Sequence, residues 1–173
     1  GVFTPSTPTF NQLSLDAYTL RAAALVSEEL LQDSMFDLEA YLVDNFARAF
    51  AAKEEQAFCV GVGTTQPTGI FTANGGDVGV TTAAAGAITA DELIELTYSL
   101  KDGYKKNAVF LLASNTLAGI RKLKDGNGVY MWQPSLQADQ PDRLIGFPVY
   151  VSQYAPAIAA NAYTVAFGDF QNY

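Results

Sequence analysis

The feature that most constrains the fold is an apolar pattern with helical spacing that runs without interruption from about Ser27 to Phe58. Apolar residues recur at every third or fourth position and charged residues occupy the opposite side. The apolar positions are Leu31, Met35, Leu38, Leu42, Phe46, Ala49, Phe50, Ala57 and Phe58. At 1.5 Å per residue this spine helix is roughly 45 Å long, whereas a compact chain of this length has a diameter of about 40 Å. A helix as long as its own domain favours an extended building block that packs against neighbours over a rounded enzyme with a central cleft.

Composition restricts the class of protein further. With 173 residues, 49% of them apolar, the chain can bury a core and forms one domain or two closely joined lobes. Its formal charge of -8 opposes direct binding to a phosphate backbone. The single cysteine, Cys59, excludes an internal disulfide and is expected to be a small buried apolar side chain. No stretch reaches 18 apolar residues, so we expect no membrane span. The N-terminal residues show no basic region followed by an apolar segment, so we expect no secretory signal.

The first half of the chain is predicted to contain one strand and two helices. Leu15 to Val26 leans to extended structure and leads into the spine helix, for which Ser27 is the expected N-cap. The spine helix ends near Gly61 and Gly63, because helices often end in the left-handed conformation that glycine adopts. Thr89 opens a second helix with a capping box completed by Glu92. The inner stripe of that helix is Leu93, Leu96, Thr97, Leu100 and Tyr104.

The second half alternates short strands and one helix. The apolar run 108–114 reads as a buried strand, and Asn115 is expected to cap a third helix that the turn 125–128 stops. The inward residues of this helix are Leu117, Ile120 and Leu123. Further strands are predicted at 129–132, 147–152 and 162–167, with a polar loop from Gln133 to Arg143. The order predicts an α+β fold without the strict alternation of a doubly wound sheet.

The residues offer little catalytic chemistry. The sequence contains no histidine, which excludes Ser-His-Asp and Cys-His machinery, and one cysteine leaves no soft ligand set for zinc. The glycine-rich segment 61–69 resembles a phosphate cradle only superficially, because no Lys-Ser or Lys-Thr follows and the segment lies after a helix. We predict no catalytic, cofactor-binding or metal-binding residue.

Carboxylates and aromatic side chains leave alternatives open. An acid-only site is one interpretation of the acidic first turns of the spine helix, and a solvated face that complements the helix dipole is the favoured one. The carboxylates concerned are Glu28, Glu29, Asp33 and Asp37. For Asp169, a turn-forming role is favoured over that of an ion ligand. For Trp132 and the nine tyrosines, a place in the core or in an interface is favoured over the lining of a cleft.

Several segments, in this order and spacing, closely resemble the HK97-type major capsid proteins of tailed bacteriophages. They are 27–34 (SEELLQDS), Ala57-Phe58, 61–70 (GVGTTQPTGI), 123–130 (LKDGNGVY), 144–149 (LIGFPV) and 167–170 (FGDF) with Tyr173. The resemblance covers nearly everything from residue 15 to residue 173.

The resemblance implies an HK97-like capsid fold in which a spine helix belongs to a peripheral part and a mixed α/β domain forms an axial part. On this basis we expect residues 1–62 in the peripheral part, 63–160 in the axial domain, and 161–173 as a strand that returns to the periphery. The loop from Gln133 to Arg143 is expected at the capsomer axis. The implied function is a structural, non-enzymatic subunit of an icosahedral phage or prophage shell whose pentamers and hexamers enclose double-stranded DNA.

The resemblance also implies which segments of the relatives this chain lacks and which partners it assembles with. Relatives carry an N-terminal arm, an extended hairpin and further C-terminal strands, so the chain looks like an internal fragment that alone is a monomer or weak oligomer. The implied partners are other copies, a scaffold and a maturation protease, with assembly in the bacterial host cytoplasm and a final place in the virion capsid. No sequence-specific nucleic-acid binding is expected. An encapsulin-like compartment and a carboxylate-based hydrolase are the alternatives.

Overall fold

The computed structural model describes residues 17–27, 37–130 and 142–171. They form an α+β structure with helices α1 (Leu38–Val60), α2 (Ala90–Ser99) and α3 (Ser114–Arg121), a 3₁₀ helix (Asp102–Asn107), and strands β1 (Val109–Leu112), β2 (Arg143–Leu144), β3 (Phe147–Val151) and β4 (Val165–Gly168). The mixture of elements agrees with the predicted class.

The four strands form one mixed sheet in the order β2-β3-β1-β4. β1 pairs in parallel with β3, which places Phe110 beside Val149, and antiparallel with β4, which places Phe110 beside Phe167. Parallel strands need a crossover, and α3 lies in the chain between β1 and β3. β1 is therefore an interior strand with a hydrogen-bonded neighbour on each side.

The main core lies between this sheet and helices α2 and α3. Phe110 and Leu112 are completely buried, whereas Leu111 between them faces the other side of the sheet, as the two-residue period of a strand requires. The ring centroid of Phe110 lies 4.6 Å from that of Phe167 and 6.4 Å from that of Phe147. The cluster consists of Leu93, Phe110, Leu112, Leu117, Ile120, Leu144 and Val149.

The long helix starts later than the apolar pattern indicates. Asp37 is extended, with φ -68° and ψ 92°, and its side chain accepts a hydrogen bond from the backbone N–H of Ala40 at 3.1 Å. The prediction of an uninterrupted helix from Ser27 is therefore wrong at Asp37, because aspartate satisfies a free N–H best when it stands outside the helix as its N-cap. The predicted N-cap role of Ser27 depends on residues 28–36, which lie outside the described residues. With 23 residues, α1 is roughly 34 Å long.

The segment 17–27 is not the predicted strand. Its backbone has no ladder partner among the described residues, and Leu25 is fully exposed. The Tyr18 hydroxyl donates to the carbonyl of Gly63 at 3.3 Å. An alternating sequence forms a strand only where another strand offers its N–H and C=O groups.

Helix α2 begins as predicted and ends earlier. The Thr89 hydroxyl accepts from the N–H of Glu92 at 3.3 Å, and the Glu92 carboxylate accepts from the N–H of Thr89 at 2.7 Å, which confirms the capping box. The backbone becomes extended at Leu100 and continues as the 3₁₀ helix. Tyr104 is thereby turned outward and is 58% exposed, so its place in the inner stripe is wrong.

Helix α3 follows β1 directly. Its N-cap is Ala113, which makes no side-chain cap, so the prediction that Asn115 caps this helix is wrong. Ala113 is buried in a second apolar cluster at the end of β1, and its carbonyl accepts from the N–H of Leu117 at 2.9 Å. Burial of Ala113 in this cluster therefore places the N-cap two residues before Asn115, the residue with the better capping side chain. Leu117 and Ile120 are buried and Leu123 packs on them, as predicted.

The remaining strands differ in extent from the predictions. β3 confirms the strand predicted at 147–152, and β4 starts three residues later than the strand predicted at 162–167. For the strand predicted at 129–132, the described residues contain a single bridge between Lys124 and Tyr130, and residues 131–132 lie outside them. β2 begins at Arg143, the last residue of the predicted polar loop, and residues 133–141 of that loop lie outside the described residues. β4 lies within the segment 161–173 and pairs antiparallel with β1.

Gly61 also differs from expectation. Its φ of -62° and ψ of 146° are extended, so the left-handed C-terminus predicted there is wrong. A Cβ at this position would lie 2.0 Å from the Pro67 carbonyl oxygen. Glycine is required here by space, whereas at Gly63, with φ 76°, it is favoured by conformation.

Two buried threonines provide a stability prediction. The Thr97 hydroxyl donates to the Ile94 carbonyl at 2.7 Å, whereas the Thr116 hydroxyl is fully buried without a hydrogen-bond partner among the described residues. Thr116→Val is expected to raise the free energy of unfolding by about 1 kcal/mol, because it removes an unsatisfied polar atom. The matched change Thr97→Val is expected to lower it by up to about 1 kcal/mol. Urea unfolding measures both, and a destabilised Thr116→Val would contradict the first expectation.

Candidate functional site at the end of the long helix

The loop that follows α1 folds back and caps the end of that helix. The N–H groups of Ile70 and Phe71 donate to the carbonyls of Phe58 and Cys59 at 2.8 and 2.9 Å, and the N–H of Gly69 donates to the Gly61 carbonyl at 2.8 Å. The last turn of a helix has carbonyls without helical partners, and this loop satisfies two of them. The glycine-rich segment 61–69 thus brings the chain back to the helix, where the N–H groups of Gly69, Ile70 and Phe71 bond to carbonyls of the chain itself. This arrangement disfavours a phosphate cradle.

A polar contact joins α1 to the end of β3. The buried Ser152 hydroxyl donates to the Glu55 carboxylate at 2.6 Å and accepts from the backbone N–H of Tyr154 at 3.2 Å. Its oxygen lies 3.4 Å from the sulfur of Cys59. The contact bridges residues 97 positions apart in the chain and fixes one turn of α1 against the sheet.

The second apolar cluster surrounds this contact. Cys59 is 3% exposed and packs with Phe71, Ala113 and Ala155, which confirms it as a buried side chain. The sheet residues Leu111 and Ala166 pack against the same cluster. The C-terminal end of α1 therefore covers the face of the sheet opposite to α2 and α3.

Most of α1 is not covered in this way. Its apolar stripe is present, with Phe46 and Phe50 half-buried and their ring centroids 6.5 Å apart, but only Leu38 and Cys59 of this helix are buried by the described residues. Tyr41 and Val43 are 57% and 62% exposed. Along most of its length, the described residues leave α1 partly or fully exposed.

Of the carboxylates singled out from the sequence, the structure describes Asp37 and Asp169, and each accepts a local backbone hydrogen bond. Asp37 caps α1, and Asp169 accepts from the N–H of Gln171 at 3.1 Å, as a turn-forming aspartate does. Glu28, Glu29, Asp33 and the aromatic Trp132 lie outside the described residues. Within those residues, no three His, Cys, Asp or Glu side chains are grouped to hold a metal ion.

A groove of about 290 Å³ lies between α2, α3 and β2. It is apolar, and Arg143 supplies its one charged lining residue; the others are Ala90, Leu93, Ile94, Ile120, Leu123, Leu144 and Ile145. A carboxylate-based hydrolase needs two acidic groups in its pocket, and the lining of this groove has none. Separately, no helix in the described part of the chain is long and apolar enough to cross a membrane.

Two carboxyl groups have shifted pKa values, and local bonds explain both. Hydrogen bonds from the N–H groups of Ala83 and Thr89 lower the pKa of Glu92, and a hydrogen bond from Lys105 lowers the pKa of Asp102. Both side chains lie at the surface and stabilise local structure. Neither shift indicates an acid or base poised for catalysis.

The lowered pKa of Glu92 predicts how stability depends on pH. A carboxyl group whose folded pKa lies below its unfolded value contributes stability above the unfolded value, near 4.5, and loses it as the pH falls through the folded value. Glu92→Gln is therefore expected to reduce stability at pH 7 and to flatten its decline in acid. Urea titrations from pH 7 to about pH 3 test this. Glu95→Gln on the exposed side of the same helix is the control, and equal acid sensitivity of wild type and Glu92→Gln would contradict the assignment.

The sequence predicted no functional residue here. It gave Cys59 as a buried apolar side chain and 61–69 as a connector after the helix, and it missed Glu55 and Ser152. Ser152 ends an apolar strand and Glu55 lies among several helix charges, so no local pattern connects them. Only the packing of α1 on the sheet brings them together.

The architecture, a long helix anchored on a mixed α+β sheet domain, defines an HK97-like capsid fold. Over residues 3–173 the chain matches the phage capsid family, and it belongs to that family. It is 30% identical over 165 residues to the major capsid protein of Escherichia phage T5, an alignment that covers 87% of this chain and 35% of that protein.

Two solved structures are similar to this one. They are the capsid of the native GTA particle and the capsid of the empty GTA particle, both computed with C5 symmetry. Each is 42% identical with a TM-score of 0.73, and each match covers 84% of this chain and 54% of the other. The chain thus spans about a third of the curated relative and about half of the capsid chains.

Proposed function

We propose that the protein is a structural subunit of an icosahedral phage shell, which assembles as pentamers and hexamers and encloses double-stranded DNA. The observation that carries this proposal is the similarity to GTA capsid chains at 42% identity over 84% of this chain. At that identity and with a TM-score of 0.73, a common fold and a common role in a shell are the simplest explanation. The protein would act through contacts between copies and perform no reaction.

The open surface of α1 supports this role. A shell subunit needs broad contacts with its surroundings, and the exposed Val43 lies on a helix whose far end is joined to the sheet by the hydrogen bond from Ser152 to Glu55. The net charge of -8 supports an inner surface that repels packaged DNA instead of binding it.

The division of the chain is part of the proposal. Residues 1–62 form the peripheral part with the spine helix, 63–160 form the axial domain, and 161–173 form a strand that returns to the peripheral part. The loop from Gln133 to Arg143 is proposed to lie at the capsomer axis. We propose that assembly uses a scaffold and a maturation protease in the bacterial host cytoplasm before the protein takes its place in the virion.

Expression of the complete gene product, followed by sedimentation and electron microscopy, tests the proposal. Closed icosahedral particles are expected. The 173-residue chain alone is expected to sediment as a monomer or weak oligomer. A complete, folded product that forms no ring or particle at any concentration would overturn the proposed function.

A further inference from the structure

The turn between β2 and β3 contains a strained isoleucine. Ile145 and Gly146 are its two central residues, and their φ angles of 53° and 85° are both positive. A two-residue hairpin turn of this kind favours asparagine followed by glycine, and a β-branched residue with positive φ is an outlier. Such strain is concentrated at sites that bind or switch, so Ile145 is a candidate contact residue.

Burial within its own chain leaves much of Ile145 in water. The residue is 44% exposed, and it lines the apolar groove of about 290 Å³ together with Ile94, which is 43% exposed. Its neighbour Leu144 lines the same groove but is buried and belongs to the main core. The core therefore requires Leu144, whereas the position of Ile145 suits a partner that covers the mouth of the groove.

The two sides of the groove carry opposite charges. Arg143, beside the turn, is exposed, and among the described residues it makes no ion pair. Asp91 and Glu95 lie within one helical turn of Ile94 on α2; both are exposed, and within the described part of the chain neither makes an ion pair. The β2 side is therefore positive and the α2 side negative, so the β2 side of one copy is complementary to the α2 side of another.

We propose that the β2–β3 turn of each copy packs against the α2 side of the next copy around the capsomer axis. Ile145 of one copy contacts Ile94 of the next, and Arg143 faces Asp91 and Glu95. Because the contact joins two different surfaces, it repeats from copy to copy and closes a ring. The inference rests on the proposed function, which supplies the neighbouring copies and places the loop that ends at Arg143 at that axis.

The charges select a second copy as the partner. A neighbouring copy supplies both the acidic groups that Arg143 lacks and the arginine that Asp91 and Glu95 lack. A nucleic acid would be repelled by these two acidic residues and by the net charge of -8. An uncharged apolar ligand would fill the groove but leave all three charges without partners.

Cysteine crosslinking of the complete protein tests the apolar half of the contact. The single variants Ile94→Cys and Ile145→Cys are mixed before assembly and then oxidised; the native Cys59 is buried. Two cysteines crosslink only when their Cα atoms lie within about 7 Å, so a covalent dimer is expected from the mixture and from neither variant alone. Val62→Cys, at an exposed residue after α1, replaces Ile94→Cys in the control mixture and is expected to give no dimer.

A variant that carries both cysteines tests whether the contact forms a ring. Each copy of Ile94→Cys with Ile145→Cys joins two neighbours, so the covalent products are expected to exceed a dimer and to reach about five or six copies. A two-fold pair would stop at the dimer. Denaturing electrophoresis without reductant measures the size of the products.

Exchange of charge tests the polar half. Arg143→Glu and Glu95→Arg each bring like charges together, and each is expected to weaken association between copies about tenfold at about 50 mM salt. The variant with both changes restores opposite charges and is expected to regain most of that loss. Lys106→Glu and Asp77→Arg make matched changes at exposed positions away from the contact and are expected to have little effect. Sedimentation velocity of the complete protein measures association.

Ile145→Asn separates the contact from the stability of the turn. Asparagine before Gly146 suits the positive φ angles, so the variant is expected to unfold at the same or a higher urea concentration than the wild type. Association between copies is nevertheless expected to fall about tenfold, because an apolar anchor is lost. A residue that acts only within its own chain would show the reverse, with lower stability and unchanged association.

The inference is overturned if the mixed single-cysteine variants give no covalent dimer, or if the products of the two-cysteine variant stop at the dimer. This failure is distinct from failure of the proposed function. If the wild type forms icosahedral particles without these crosslinks, the contact is wrong and the shell role stands. If the wild type forms no shell but the two-cysteine variant gives products larger than a dimer, the contact stands and the shell role is wrong.

Discussion

Replacing Gly69 by alanine is expected to lower the free energy of unfolding by about 3 kcal/mol or more. A Cβ at this position would lie 2.4 Å from the backbone nitrogen of Gly61 and 2.6 Å from the Cys59 carbonyl oxygen. Both obstacles are backbone atoms, so the loop must move away from α1. That movement would break the bonds from Ile70 and Phe71 that cap the helix.

Gly76→Ala is the control for this prediction. Gly76 has no atom within 4 Å of an added Cβ and its φ is not positive, so alanine is expected to change stability by less than about 1 kcal/mol. Urea unfolding gives the free energies, and the reaction of Cys59 with a thiol reagent reports whether the end of α1 opens. If Gly69→Ala is as stable as Gly76→Ala, the loop is not the tight cap described.

Phe110→Ala is expected to cost about 3–5 kcal/mol, enough to unfold a large share of the molecules. Phe110 is fully buried at the centre of the sheet, and its ring packs against the rings of Phe167 and Phe147 from the two neighbouring strands. Truncation removes these contacts and leaves a cavity that three strands and two helices cannot close.

Tyr150→Ala provides the comparison on the same sheet. Tyr150 lies on β3 opposite Leu111 of β1, but it is 53% exposed, so its loss is expected to cost about 1 kcal/mol or less. Thermal and urea unfolding of the two variants measure the difference. Similar costs for both would show that the core is not centred on Phe110.

Some elements were predictable because neighbouring residues alone decide them. The Thr89 and Glu92 capping box needs only side chains three positions apart, and it forms as expected. The cap at Asp37 is also local, since its side chain accepts from the N–H of Ala40. It was missed because the apolar pattern continues on both sides of Asp37, where the helix begins. An apolar period reports which side of a helix is buried and does not report where the helix begins.

Other predictions failed because distant parts of the chain outweighed local preference. Asn115 is a better cap than Ala113, but Ala113 is buried against Phe71 and Ala155, which sets the turn after β1. Alternation in segment 17–27 did not yield a strand, since strand formation depends on a partner. In the candidate site, the contact of Ser152 with Glu55 has no local signal at all.

The order of residues determined the α+β class, the amphipathic character of the long helix, the burial of Cys59 and the family to which the chain belongs, because each depends on side-chain pattern or on motifs read in sequence. Tertiary structure alone decided that β1 pairs with both β3 and β4, that the loop 61–71 returns to cap α1, and that α1 rests on the sheet through Ser152. These arrangements join residues far apart in the chain, and the free energy that selects them arises only when apolar surfaces are buried together.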